Sequence, residues 1–217
     1  MLTSPCVAEL ARRDICTDEL LELRRWVGAV AANVPRVRQP GAPQARHTAT
    51  EDAVAWLVTD EPTLAFLDLD PVAAHSSVVQ PVHYLAEDLN SELDALYKHP
   101  DVETFPGYAI VLSHEGLEAI RNVHQSMTLA LNSLPPKSYQ RPHVHNSMAL
   151  TLCTQGEGCY SLIDGERKDW SHHAVMVTPP GAAHSHHNDG DANMQCLIVQ
   201  DGGLYYHGRT LGFAYAD

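Results

Sequence analysis

The feature that most constrains this chain is His143-Val144-His145, two imidazoles separated by one valine within Pro142-His143-Val144-His145-Asn146. On a β-strand, where successive side chains alternate between faces, both rings point the same way and can reach one metal ion. A second cluster, His184-Ser185-His186-His187-Asn188, follows about 40 residues later, roughly the length of a few strands with their turns.

The surrounding sequence reads as strand. Tyr108-Ala109-Ile110-Val111-Leu112 is a short apolar run, and Met127-Thr128-Leu129-Ala130-Leu131 alternates as a half-buried strand does. Further strands are predicted over residues 148–154, 159–163, 174–177, 194–199 and 204–206. Turn chemistry separates them at Gly156-Glu157-Gly158, Asp164-Gly165, Pro179-Pro180-Gly181 and Asp201-Gly202-Gly203. Many short strands with regular turns predict a sandwich or barrel, and Tyr205, Tyr206 and His207 fall where they would close one mouth of it.

Upstream, the pattern is helical. Leu20, Leu23, Val27 and Val30 recur at helical spacing, with Thr17 as cap and Pro35 as stop. Residues 35–50, with Pro40, Gly41 and Pro43, read as a connector. Thr50 then caps a short helix carrying Val54, Leu57 and Val58, and a further helical piece covers residues 64–67. Leu89, Leu93 and Leu96 share one face of a helix over 87–98 that His99-Pro100 ends. The expected organisation is a mainly helical extension, residues 1–106, packing on or capping a β domain over residues 107–217.

A chain of 217 residues is long enough for one well-packed domain with an appendage. Its 14 basic and 27 acidic residues give a net charge of -13, which repels nucleic-acid backbones and anionic membrane surfaces. Five cysteines, an odd number with no CxxC pair, predict reduced thiols and a cytoplasmic location. Residues 1–26 are interrupted by Glu9, Arg12, Arg13 and Asp14, unlike the apolar core of a leader, and no later segment approaches a membrane span.

The two histidine clusters resemble the paired motifs of the cupin superfamily, G-x5-H-x-H-x3/4-E-x6-G and G-x5-P-x-G-x2-H-x3-N. His143-x-His145 and Gly156 fit the first, and Pro179-x-Gly181-x2-His184-x3-Asn188 fits the end of the second. Lys137 and His173 stand where each motif opens with Gly, and Ala149 stands where the first has Glu. With alanine there, His143, His145 and His184 remain as metal ligands. Three neutral imidazoles leave coordination positions open, as catalytic rather than structural sites do, and they suit Fe, Zn, Ni and Cu more than Mg or Ca.

Within the cupins, the pattern His143-x-His145-x3-Ala149, then Gly156-x-Gly158 and Tyr160, then Thr178-Pro179-Pro180 leading to His184-Ser185-His186, resembles the gentisate 1,2-dioxygenase branch. That resemblance covers residues 130–213. It implies a mainly β fold, a jelly-roll β-barrel, with Fe(II) on the three histidines and cleavage of a hydroxylated aromatic acid by O2. It also implies a catalytic His186 beside the substrate. The family's carboxylate-gripping Arg, eight positions after the first ligand, is Thr151 here, so the resemblance carries over the metal chemistry and not gentisate itself. The relatives are bicupins, and the first hundred residues here hold no second H-x-H pair.

The expected function is a metal-dependent dioxygenase, with Fe(II) ahead of Zn, Ni, Mn or Cu, acting on a small oxygen-chelating substrate with O2. A homodimer that hides sheet edges is the expected assembly. Two other classes stay open: a Lewis-acid lyase or isomerase, since helices ahead of one cupin resemble the dimethylsulfoniopropionate lyases, and a non-catalytic binding cupin. His172, His173 and His187 are read as surface or turn residues, Met148, Tyr160 and Gln195 as interior packing, and Cys153, Cys159 and Cys196 as small buried hydrophobes.

Overall fold

The computed structural model describes residues 7–12, 27–31, 34–37, 54–69, 78–79, 82–101 and 107–216. The chain divides into two compact units, Met1–Ala86 with His114–Ala119, and Glu87–Ser113 with Ile120–Asp217.

In the first unit β1 (Val7–Arg12), β2 (Val27–Ala31), β3 (Val34–Val37), β4 (Val54–Thr59) and β5 (Val82–His83) form an antiparallel sheet in the order β1-β4-β2-β3-β5. Helix α1 (Glu61–Phe66) follows β4 and overlaps the helical piece expected over 64–67, starting earlier. The helix expected around Val54, Leu57 and Val58 is instead β4, paired on both sides. Trp56, Leu57, Val58 and Thr59 are all buried, and a short continuous apolar run carries no period that separates helix from strand. Valine, tryptophan and threonine then favour the sheet. Of the helix expected from Thr17 to Pro35, residues 18–26 lie outside the described residues, and Val27 and Val30 lie in β2. The 35–50 connector begins as β3, and its remainder is also outside the described residues.

The second unit opens with α2 (Ala86–Tyr97), the helix its leucine spacing predicts, with Leu89 and Leu93 buried. There follow β6 (Tyr108–Leu112), β7 (Thr128–Leu134), β8 (Ser138–Tyr139), β9 (His143–His145), β10 (Ala149–Gln155), β11 (Cys159–Ile163), β12 (Glu166–Asp169), β13 (Val175–Thr178), β14 (His184–Asn188) and β15 (Met194–Gln200). The chain closes with helix α3 (Gly203–Gly208) and β16 (Phe213–Tyr215). Two antiparallel sheets result, β13-β10-β15-β7-β6 and β12-β11-β14-β9-β16. They stay two separate antiparallel sheets rather than the closed jelly-roll barrel expected, with edges left at β13, β6, β12 and β16.

The core lies between these sheets. Leu134, Ala149, Cys153, Met194, Cys196 and Ile198 come from one sheet, Cys159 from the other, and Trp170 follows β12. The three cysteines are free and buried, and burial raises each thiol, Cys153 to about 12 and Cys159 to about 11. They behave as the small hydrophobes the sequence suggests.

The strand expected at 204–206 is α3. A Cβ on Gly203 would lie 2.5 Å from the backbone carbon of Ser126, so only glycine allows the chain to start a helix against that loop. Tyr160, expected inside, lies on the outer face. Its ring stacks on His187 at 4.6 Å and under the Arg167 guanidinium at 3.6 Å. Among the described residues no helix is long and apolar enough to cross a membrane.

Candidate metal centre

β9 is only three residues long, yet its HVH pattern is buried, half-buried, buried, as alternation requires when both imidazoles face inward. β14 lies antiparallel to β9, and the register sets His184 directly opposite His143. The turn before β14 is tied to the first motif as well: the Gly181 N–H donates to the His145 carbonyl at 2.8 Å, with Gly181 at φ 78°. One ring nitrogen from each of His143, His145 and His184 then falls within 4.8 Å of the others. The three rings are 6%, 7% and 4% exposed.

Each ring is held by a carbonyl two residues away along its own strand or turn. Nδ1 of His143 lies 3.0 Å from the Arg141 carbonyl, Nδ1 of His145 2.7 Å from that of Ser147, and Nδ1 of His184 3.0 Å from that of Ala182. A carbonyl can only accept, so Nδ1 carries the proton in all three and Nε2 presents its lone pair. This is the outer-shell arrangement that orients metal-bound histidines and raises their basicity toward the ion. Burial holds all three below the ordinary imidazole range, His184 down to about 4, so the rings are neutral donors at physiological pH. A divalent ion fits this donor set, which has no carboxylate because Ala149 occupies the expected position, 3% exposed.

His186, the proposed catalytic residue, sits one alternation further along β14, its ring centroid 6.0 Å from that of His184. It is 4% exposed, and burial lowers its pKa to about 3. Its Nδ1 lies 2.8 Å from Ser161 Oγ, which also receives the Trp170 indole N–H at 2.9 Å. An indole nitrogen only donates. The Ser161 hydroxyl, fully buried, therefore finds its acceptor at Nδ1, which places the His186 proton on Nε2. Gly156 makes room for this: a Cβ there would lie 2.9 Å from Trp170 Cε3.

Other motif residues are structural. The Asn188 amide donates to the carbonyls of Leu134, Pro135 and Ala192 and accepts from the Gly190 N–H, locking the loops at the far end of β14. Lys137 and His173 adopt left-handed φ of 59° and 63°. The backbone at these two motif positions keeps a conformation that glycine would take at least cost. His172 stacks on His173 outside the strands, and His187 faces outward with its Nε2 2.8 Å from Ser185 Oγ. Neither approaches the three-histidine group as a ligand.

Thr151 shares the inward face of β10 with Ala149 and Cys153. It is 1% exposed, and its hydroxyl has no hydrogen-bond partner. Every Lys and Arg among the described residues of this unit is exposed, so none of them places a cation in the interior.

Ser147, Ser161, Trp170 and Gln200 belong to the site's surroundings and carry no motif signal. Gln200 pairs directly with Ala149 across β10 and β15. Its Nε2 lies 3.5 Å from His145 Nε2, and its Oε1 3.2 Å from Ser147 Oγ. Only the strand register could have found it.

Residues 130–200 match the family model described as the cupin domain. The chain is 28% identical over 130 residues to a gentisate 1,2-dioxygenase of Ralstonia sp, covering 59% of this chain and 36% of the relative. It is 31% identical over 85 residues to gentisate 1,2 dioxygenase 1 of Aquipseudomonas alcaligenes, covering 39% and 24%. Against the crystal structure of a salicylate 1,2-dioxygenase from Pseudaminobacter salicylatoxidans the TM-score is 0.60 at 20% identity, covering 65% of this chain and 40% of that one. The matched region spans about a quarter to a third of the curated relatives' length.

Proposed function

We propose that this chain, whose residues 130–200 match the cupin domain and which is similar to gentisate 1,2-dioxygenases, is an Fe(II)-dependent dioxygenase acting on a small, oxygen-chelating aromatic or related substrate. The observation that carries the reading is the set of three buried, neutral imidazoles, each with Nδ1 on a carbonyl, and no carboxylate beside them. His143, His145 and His184 would hold the ion. Fe(II), when bound, supplies the redox chemistry that couples a chelated phenolate or enolate to O2.

The chain's own residues do the rest. The carbonyls of Arg141, Ser147 and Ala182 keep the imidazoles aimed, so little reorganisation accompanies ligand exchange. The apolar residues of the core exclude water around them. His186 presents a proton at Nε2, set there by Ser161 and Trp170, and so can donate a hydrogen bond to a substrate oxygen and exchange a proton with it. Thr151 offers a neutral hydroxyl where the family grips a carboxylate with a cation, which favours recognition by chelation over recognition by charge. Residues 107–217 would carry the chemistry, with 1–106 as its extension. The exposed edge strand β16, with Phe213 at 49% and Tyr215 at 40% exposure, is consistent with a homodimer that covers it.

The test is oxygen uptake by protein reloaded anaerobically with Fe(II), across a panel of hydroxylated aromatic acids, catechols and diketones. Uptake matching substrate loss with at least one of them is expected, and absent from His143→Ala. Tight binding of Zn alone, with no uptake from any compound after Fe(II) loading, would overturn the proposal.

A further inference from the structure

Gln200 lies against His145 of the three-histidine group. Its α-carbon pairs with that of Ala149, and directly paired residues on antiparallel strands project to the same face. Ala149 carries only a methyl on that face and packs in the core, whereas the longer Gln200 side chain brings its carboxamide Nε2 to 3.5 Å from His145 Nε2.

The hydrogen bonds decide which end of the amide points there. His145 Nδ1–H is shared between the Ser147 carbonyl at 2.7 Å and Ser147 Oγ at 3.2 Å. Ser147 Oγ, accepting from the ring, has its own proton left to give, and Gln200 Oε1 lies 3.2 Å away to receive it. Every donor then meets an acceptor, and Nε2 is the end that remains turned to the site. The reverse orientation would set Oε1 against the His145 lone pair and leave the Ser147 hydroxyl without an acceptor in a fully buried position.

We propose that Gln200 is a positioning residue for the non-protein ligand of the metal: its Nε2–H₂ donates a hydrogen bond to whatever atom fills the coordination position that Ala149 leaves vacant. An ion held at His145 Nε2 would take the lone pair that now accepts from the amide, which would free the amide N–H for a ligand of that ion. The proposal rests on the three-histidine metal reading but not on any reaction with O2. Gln200 thus selects for ligands that accept a hydrogen bond, and the Ser147 hydroxyl fixes the amide so that it does not compete as a metal ligand.

Cobalt(II) loading with azide as the probe separates the possibilities, read by the visible d–d spectrum. Wild type should bind Co(II) and then azide. Gln200→Leu and Gln200→Met should keep Co(II) affinity within about twofold and weaken azide binding by about ten- to a hundredfold, the range for a hydrogen bond to a charged acceptor. Ser147→Ala, which frees the amide to turn, should fall between. Unchanged azide affinity in both Gln200 variants would overturn the proposal. So would a tenfold or greater loss of Co(II) affinity in them with an altered ligand-free spectrum, which would make Gln200 a metal ligand. Failure of the wild-type chain to bind Co(II) would remove the metal site itself, and with it both this assignment and the proposed function.

Discussion

His184 lies directly across from His143 in the β14–β9 pair, their imidazole centroids 4.2 Å apart. Residues some forty positions apart in sequence are thus brought together by one register pair, and a one-residue slip would turn His184, His186 and Asn188 to the outer face together. The site is therefore a direct consequence of this antiparallel pairing, and the sheet defines it more than any loop does.

Removing either member of that pair should abolish metal binding and spare the fold. His143→Ala and His184→Ala each delete one of the three proposed ligands, so the affinity for a divalent ion should fall by more than about 100-fold, beyond the loss typical of outer-shell partners. The core between the sheets does not depend on these rings, and the stability cost of each should stay near 1–3 kcal/mol. Metal content after dialysis, with far-UV circular dichroism of the same samples, checks both halves. Retained stoichiometric metal in His184→Ala would contradict the assignment.

Acid should destabilise the metal-free protein early. His184 and His186 have folded-state values of about 4 and about 3, against 6.5 for the ordinary group, with burial the first cause in both. Between those limits the unfolded chain takes up protons that the folded chain refuses, so stability is fully present above pH 6.5 and declines as the pH falls. At pH 5 the loss approaches about 2 kcal/mol for each ring. Urea unfolding of chelator-treated protein at pH 7 and pH 5 measures it, and coincident curves would show that the rings are not buried and neutral. Bound metal should move the decline to lower pH, since the ion holds the imidazoles deprotonated.

The grouping of His143, His145 and His184 is legible because both of its constraints are local: H-x-H has the period of a strand, and P-x-G-x2-H ends in a turn that glycine marks. Cys159–Ile163 and Tyr108–Leu112 were legible for the same reason, alternation or apolar runs between turn residues. β4 was not, since the unbroken burial of Trp56, Leu57, Val58 and Thr59 erases the period that tells helix from strand. α3 was not either, because its start depends on Gly203 fitting against Ser126, a contact distant in sequence. Gln200, Ser161 and Trp170 act through cross-strand register and through hydrogen bonds to non-neighbours, which no spacing within one segment reveals.

Two left-handed positions offer a contrast in stability. His173, at φ 63°, and Lys137, at φ 59°, occupy a backbone region that costs an L-residue about 1–2 kcal/mol. Glycine relieves that strain but gives back about 0.4–1 kcal/mol through the greater freedom of the unfolded chain. His173→Gly should therefore raise stability by up to about 1.5 kcal/mol. Lys137→Gly should be near neutral, because Lys137 Nζ also holds Asp191 at 2.8 Å and the Asp189 carbonyl at 2.6 Å. Denaturant midpoints of the two variants, compared side by side, check the ordering, and destabilisation by His173→Gly would show that its stacking on His172 outweighs backbone strain.

The Trp170–Ser161–His186 chain predicts a tautomer that can be read without any substrate. With the indole N–H on Ser161 Oγ and the hydroxyl proton on Nδ1, His186 should be the Nε2–H form in the resting protein. Long-range 1H–15N correlation of the imidazole nitrogens should show an unprotonated Nδ1 and a protonated Nε2, the reverse of His143, His145 and His184, whose Nδ1 protons are held by carbonyls. Ser161→Ala removes the donor and should shift His186 toward a mixture of tautomers, at a stability cost of about 1–2 kcal/mol for the hydrogen bonds lost. Trp170→Phe keeps the serine and should preserve the tautomer while it loosens the ring. A His186 that already carries its proton on Nδ1 in the unaltered protein would reverse the direction of the chain, making Ser161 the acceptor of both bonds and His186 a base rather than a donor at Nε2.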